Sequence, residues 1–312
     1  MTPQKIAVTG AAGLIGSNIV KKLITRKIRV VAVDNFTIGE WREENDLIAW
    51  VKADVTAPSL AEAFDEHRPD AVIHCAAHPG GKSLKEPVLD VSVNALGSMR
   101  VFDWCARNSA AVVYLSSSAV YGEQPKGPIL ETAPVAPGTI YAACKIACEN
   151  YLRIMGDGCG LPWTVLRVFA TYGAGHKPST FQGILNIMLT QLIAGNKVVV
   201  KGSLSRERDM VYAEDTAQAA VRAALTEKAR GKIINVGTGR AVTVREMIGH
   251  LGKALGKDMA KVEIVEEAGT VGDPQYSVAD ATRARDILDF SAEYTIQQGI
   301  EKLIHVRNLS SR

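Results

Sequence analysis

Residues 5–17, KIAVTGAAGLIGS, decide the fold class of this chain. A short apolar run, Ile6-Ala7-Val8, leads straight into Gly10, Gly13 and Gly16, and a helical pattern follows. Unbroken apolar runs are what a strand buried on both faces requires. Glycines at this GxxGxxG spacing allow a tight turn and let an anion approach the backbone at a helix N-terminus, where free N–H groups and the helix dipole favour negative charge. A glycine turn before a helix is common, so the context carries the weight. A second apolar run, Arg29–Asp34, ends in a carboxylate about 20 residues further on, the usual separation in a dinucleotide-binding βαβ unit.

That carboxylate, Asp34, is suited to accept hydrogen bonds from an adenosine ribose and to repel a 2′-phosphate, so NAD is expected over NADP. Asn35 to Ile38 supply no positive charge beside it, and Arg42 is the nearest cation that would favour NADP. Gly10, Gly13, Leu14, Ile15 and Gly16 are the expected pyrophosphate cradle, with Asn35 beside the ribose. Asp54 and Val55 follow the third strand, where an adenine contact is expected. Taken alone, Asp54 reads equally as a helix cap.

Outward from this unit, short apolar runs alternate with helical patterns. Strands are predicted at Ala49–Lys52, Ala71–Cys75, Val112–Ser116 and Thr164–Val168. Helices are predicted at Ile15–Arg26, Ser59–Glu66, Val91–Asn108 and Ile140–Met155. The alternation predicts an α/β fold, a doubly wound parallel (Rossmann) sheet with helices on both faces. Beyond Phe169, loops rich in Gly and Lys interrupt helices near Phe181–Ala194, Asp215–Thr226 and Thr243–Leu255. A Rossmann domain is therefore expected over 1–170, with 211–240 returning to it. A smaller substrate-binding lobe is expected from 171–210 and 241–312.

Composition narrows the function classes. The 312 residues are 47% hydrophobic and 22% charged, with a net charge of +3, too little to suggest a nucleic-acid partner. No apolar run is long enough for a membrane span, and the opening MTPQKIAVTG lacks a signal-peptide core. The five cysteines, Cys75, Cys105, Cys144, Cys148 and Cys159, lack metal-ligand spacing. They read as buried free thiols in a reducing cytoplasm, with no metal.

Tyr141 and Lys145 lie four apart in a predicted helix and so share a face. A free tyrosine titrates near 10, and a neighbouring ammonium together with a cationic nicotinamide would favour its phenolate. Such a pair arises by chance in many helices. Here it follows Ser116, Ser117 and Ser118 at the carboxyl end of a predicted strand, where a hydroxyl can meet a substrate oxygen.

With these residues, the motifs GAAGLIG (10–16), HCAA (74–77), SSSAVYG (116–122), YAACK (141–145), LRVFATYG (166–173), RDMVYAEDTAQA (208–219) and NVGTG (235–239) resemble the extended short-chain dehydrogenase/reductase superfamily. The resemblance spans nearly the whole chain and points to the nucleotide-sugar epimerases and dehydratases. It implies NAD as cofactor and Ser117, Tyr141 and Lys145 as catalytic residues, Lys145 also reaching the ribose. It implies cofactor contacts from Ala76, Ala77 and Asn94, and Phe169 near the nicotinamide. Ser117, Ser118, Tyr141 and Arg208 are the implied substrate contacts, with Arg206 beside Arg208. Two positions depart from the family pattern: Ala170 stands where an Asn often meets substrate phosphate, and Thr270-Val271 stand where an Arg commonly precedes Gly272-Asp273. The related dehydratases follow the catalytic hydroxyl with an Asp-Glu pair; here Ser118 and Ala119 follow it. The expected activity is therefore C4 epimerisation of a nucleotide sugar. A reductase or dehydratase of the same fold, or a redox-sensing regulator, is the alternative. The resemblance also implies a homodimer formed by helices 91–108 and 140–155.

Overall fold

The computed structural model describes residues 3–174 and 183–309. In chain order the first strands are β1 (Lys5–Thr9), β2 (Arg29–Asp34), β3 (Ile48–Lys52), β4 (Ala71–His74), β5 (Ala111–Ser117) and β6 (Trp163–Val168). They are followed by β7 (Ala170–Tyr172), β8 (Lys197–Lys201), β9 (Glu207–Tyr212) and β10 (Lys232–Val236). The last are β11 (Ala241–Thr243), β12 (Glu263–Glu267) and β13 (Tyr276–Ser277). Seven of them form one parallel sheet in the order β10-β6-β5-β4-β1-β2-β3. The order reverses between β1 and β4, which opens the crevice at their carboxyl ends where ligands bind in such sheets.

Both faces of the sheet are covered, which explains the unbroken apolar runs. Ile6 and Val8 point to the side packed by α1 (Leu14–Thr25), whereas Ala7 points to the side packed by α2 (Ser59–His67). That second face continues under a helical stretch, 87–107, built from α3 (Pro87–Val91), a π turn (Ser92–Gly97) and α4 (Ser98–Arg107), and under α5 (Ile140–Cys159). The predicted helix over Val91–Asn108 thus starts four residues earlier and carries a π turn, a local widening found often at functional sites. Thr139 starts α5 by accepting a hydrogen bond from the Ala142 N–H (3.1 Å), and Gly160, with φ of 72°, ends it.

Helix α6 (Ile184–Ala194) begins inside the predicted span, whose first residues, Phe181 and Gln182, lie outside the described residues. It packs with α8 (Val244–Ala254) and α10 (Ile296–Leu309) around a separate apolar cluster that includes Leu185, Leu189, Val198, Met247, Leu251 and Ile300. Strands β11, β9, β13 and β7 form a small sheet beside it, and β12 pairs with β8. The expected return to the large sheet over 211–240 is made by α7 (Ala213–Leu225), which packs on α1, and by β10. Val211 and Tyr212 instead belong to β9 in the small sheet, pairing with Thr171 and Tyr172. Part of the loop KGSLSRERD is strand as well: from Glu207 onward it is β9, the inner strand with which β11, β13 and β7 all pair.

No described helix is long and apolar enough to cross a membrane. All five cysteines are free; Cys105, Cys144 and Cys148 are buried, whereas Cys75 is half-buried and Cys159 exposed.

Candidate active site

The glycine turn is closed by its neighbours. A Cβ on Gly16 would lie 2.1 Å from the Gly10 carbonyl oxygen, and one on Gly10 would lie 2.8 Å from the Ala76 nitrogen. Glycine is thus required at both positions, and β1's turn sits directly against the HCAA segment after β4. Gly13 caps α1 without any side-chain acceptor, and no acidic residue occupies the first turn around Leu14 and Ile15. The first-turn N–H groups of α1 thus meet no side-chain cap and no acidic residue, which suits them to a dinucleotide pyrophosphate.

Asp34 is buried, and its two carboxylate oxygens accept from the Ala12 N–H (2.9 Å) and the Phe36 N–H (2.7 Å). The carboxylate therefore ties the glycine turn to the loop after β2. Asn35 donates to Asp54 (2.7 Å), and Asp54 also accepts from the Thr56 N–H and hydroxyl. Burial pushes the Asp54 carboxyl up, but these hydrogen bonds outweigh it and hold the carboxyl below its ordinary value. It is no helix cap: α2 starts after Pro58 with no side-chain cap. Val55 is buried against Gly97 in the π turn. Asn94, in the same turn, is buried and spends its amide on the His78 backbone and on Asp90. Ala77 is half-buried beside His78.

The catalytic candidates come together at the end of β5. Ser117 accepts from the Ala119 N–H (3.2 Å) as the chain turns into 118–121, and its hydroxyl is near enough to the Tyr141 phenol to favour the phenolate. The Lys145 ammonium is buried, donates to the Leu115 carbonyl (2.8 Å), and lies 4.6 Å from the Tyr114 ring centroid and 5.6 Å from that of Tyr141. Burial pushes the Tyr141 phenol up to about 12, with the nearby Ser117 hydroxyl opposing and Asp90 adding to the rise. The lowering expected from Lys145 together with a cationic nicotinamide has only the lysine to act in the protein by itself, and burial prevails. Burial also lowers the Lys145 ammonium, which spends one hydrogen bond on a backbone carbonyl. Phe169 is buried, packed near Tyr121 with 6.3 Å between ring centroids.

Arg208 lies on β9 rather than in this cluster. Its guanidinium meets Asp273 at 2.6 Å, and Arg206 pairs with the same carboxylate. Burial, reinforced by Arg206, pushes Arg208 down to about 10. Asp273 follows Gly272, whose backbone lies against Gly138, immediately before the cap of α5. Ser118 is half-buried, Ala170 opens β7, and Val271 is exposed.

Three contacts were not anticipated from sequence. Ser83 accepts from the Tyr141 N–H (2.8 Å), and Gly80 lies against the Tyr141 ring, where a Cβ would come within 3.2 Å. Gly39 lies on the cofactor turn, 2.4 Å from a Cβ to the Ala12 carbonyl carbon. Nothing in the local sequence marks Gly39 or Gly80, because each is required by a partner distant in the chain. Among the described residues no group of three His, Cys, Asp or Glu side chains is arranged to hold a metal ion.

A nucleotide-binding sheet with a Ser-Tyr-Lys cluster at its crevice defines an NAD-dependent short-chain dehydrogenase/reductase of the extended type. Residues 6–237 match the NAD dependent epimerase/dehydratase family, and the chain belongs to it. It is 33% identical to UDP-glucose 4-epimerase of Mycolicibacterium smegmatis, over 96% of this chain and 97% of that protein. It is 26% identical to dTDP-glucose 4,6-dehydratase of Xanthomonas campestris, over 95% and 91%. The structure of Thermus thermophilus UDP-glucose 4-epimerase in complex with NAD superposes with a TM-score of 0.89 at 32% identity, covering 97% of this chain and 99% of that one. NAD is the cofactor of the family, and nucleotide sugars are the substrates of these relatives.

Proposed function

We propose that this enzyme is a nucleotide-sugar epimerase that inverts C4 through a 4-keto intermediate. The observation that carries the reading is the segment after Ser117. It turns at once into Ser118-Ala119-Val120-Tyr121, with no carboxylate where elimination of water needs an acid and a base. A serine hydroxyl is too weak in both roles near neutral pH. Glu123, the nearest carboxylate in sequence, is exposed and accepts from the Gln275 N–H (2.8 Å). Epimerisation needs neither group.

In this reading Gly10, Gly13, Leu14, Ile15 and Gly16 hold the pyrophosphate of NAD. Asp34 and Asn35 hold the adenosine ribose, and Asp54 and Val55 flank the adenine. Ala76, Ala77 and Asn94 contact the cofactor, and Phe169 packs near the nicotinamide. Bound NAD supplies the hydride acceptor, and its reduced form the donor. Tyr141 takes the C4 hydroxyl proton and returns it; Ser117 hydrogen-bonds the same oxygen, with Ser118 beside it. Lys145 stabilises the phenolate and the ribose. Arg208, on β9 of the small sheet, anchors substrate phosphate.

The protein is read as a cytoplasmic homodimer. Val88, Leu89, Val91 and Leu96 on helix 87–107 and Ile154 on α5 are exposed, an apolar surface suited to a second copy. On the same helices Val101, Phe102 and Leu152 cover the parent sheet.

Proton NMR of the product from UDP-, GDP-, CDP- and dTDP-linked sugars tests the reaction. A C4 epimer of unchanged mass is expected. A new 6-methyl signal, or carbon dioxide from a uronic acid, would refute it.

A further inference from the structure

Beneath the ends of β5, β6 and β10 lies a polar cluster that the proposed chemistry does not use. Tyr141, Lys145 and Glu149 are spaced by four along α5 and form one stripe. Glu149 is 5% exposed, and its carboxylate accepts from the Ser116 hydroxyl (2.5 Å) and from Arg167 Nε and Nη2 (3.1 and 2.7 Å). Ser116 and Arg167 are direct register partners across β5 and β6, so one carboxylate spans both strands. Arg167 and Asn235 are partners across β6 and β10. The Arg167 guanidinium lies 4.8 Å from the Tyr121 ring centroid, and the Tyr121 hydroxyl donates to Asn235 Oδ1 (2.6 Å).

Buried ion pairs stabilise little, because desolvation consumes most of the attraction, and apolar residues would fill the same space at least as well. What this pair adds is geometry. On successive turns of α5, Lys145 grips the Leu115 carbonyl and Glu149 grips the Ser116 hydroxyl, stapling the helix to two consecutive residues of β5. Ser117 comes next, the last residue of β5, where the chain turns into 118–121. The direction of the Ser117 hydroxyl therefore follows from how Ser116 is held.

We propose that Glu149 is a positioning residue: by joining Ser116 and Arg167 it locks the end of β5 against α5 and aims the Ser117 hydroxyl at the Tyr141 phenol. The inference rests on the reading of Ser117 and Tyr141 as the proton-handling pair. Glu149 itself touches no reacting group.

Glu149→Ala strands a buried guanidinium and is expected to lose the fold, so the informative variant is Ser116→Ala, which leaves Glu149 paired with Arg167. The measurement is an ultraviolet titration of the Tyr141 phenol with NAD⁺ bound, taking Tyr141→Phe as the blank. The phenol is faced by Ser117 and Tyr114 from β5, by Asp90 from α3 and by Lys145 from its own helix, none of which the substitution removes. The titration midpoint is expected to rise by roughly half to one unit, the scale of one misaligned hydrogen bond. Ser116→Thr should restore it, and NAD⁺ affinity should stay within about twofold. An unchanged midpoint in Ser116→Ala overturns the proposal. So does a variant whose NAD⁺ affinity and Tm fall together without a specific shift, which marks a merely structural bond. If the wild type shows no Tyr141 titration above the blank, the proton-handling reading falls first and takes this inference with it.

Discussion

Gly272 and Gly138 meet backbone to backbone: a Cβ on Gly272 would lie 2.6 Å from the Gly138 carbonyl oxygen. Gly272 also holds φ at 77°, a conformation costly for any residue with a side chain. The contact sets Asp273, shared by Arg206 and Arg208, next to the start of the helix that carries Tyr141. Gly272→Ala is expected to cost about 1–3 kcal/mol of stability. It should weaken binding of UDP more than binding of NAD⁺, which calorimetric titration of both ligands will show. Equal losses for the two ligands would place the damage elsewhere.

NAD should bind more tightly than NADP, because the Asp34 carboxylate opposes a 2′-phosphate. Asp34→Ala should narrow the preference while Arg42 remains. It should also weaken NAD itself, since the Ala12 and Phe36 N–H groups lose their acceptor. Tighter NADP binding by the wild type in calorimetry would reverse the assignment.

Burial keeps the Tyr141 phenol protonated up to about 12 in the protein alone. Oxidised NAD brings a positive charge that favours the phenolate, so its binding releases protons whenever the pH lies between the bound and free values. By linkage NAD⁺ affinity should then rise with pH, by at most about tenfold per unit, and stay flat below the bound value. Tyr141→Phe should abolish that slope and lower turnover by about 10²–10⁴-fold. A slope that survives the substitution assigns the proton to another group.

Light scattering should give twice the chain mass at micromolar concentration. Val88 and Leu96 are 79% and 50% exposed, so replacing both by Glu removes no contact within the chain's own core. The double variant should be monomeric with little change in Tm. A monomeric wild type would rule the dimer out.

Much of the fold was legible because β1, β2 and β4 are short apolar runs in a sheet covered on both faces, a condition written in consecutive residues. The π turn at Ser92–Gly97 was not legible. Its residues read as ordinary helix, and Asn94 spends its side chain on His78 and Asp90, contacts set by the packing of 87–107 against the loop after β4. The small sheet was hidden for a related reason. β13 is two residues long and is strand only because it pairs with β9, at the edge of the small sheet.

The site divides along the same line. The glycine spacing, Asp34 and the four-residue step from Tyr141 to Lys145 are local, so chain order alone is enough to propose them. Local pattern does not reveal that burial raises the Tyr141 phenol, that Lys145 leans on the Leu115 carbonyl, or that Glu149 gathers Ser116 and Arg167 beneath Ser117. Those properties come from desolvation and from hydrogen bonds between residues far apart in the chain. Neither exists until β5, β6 and α5 have packed together.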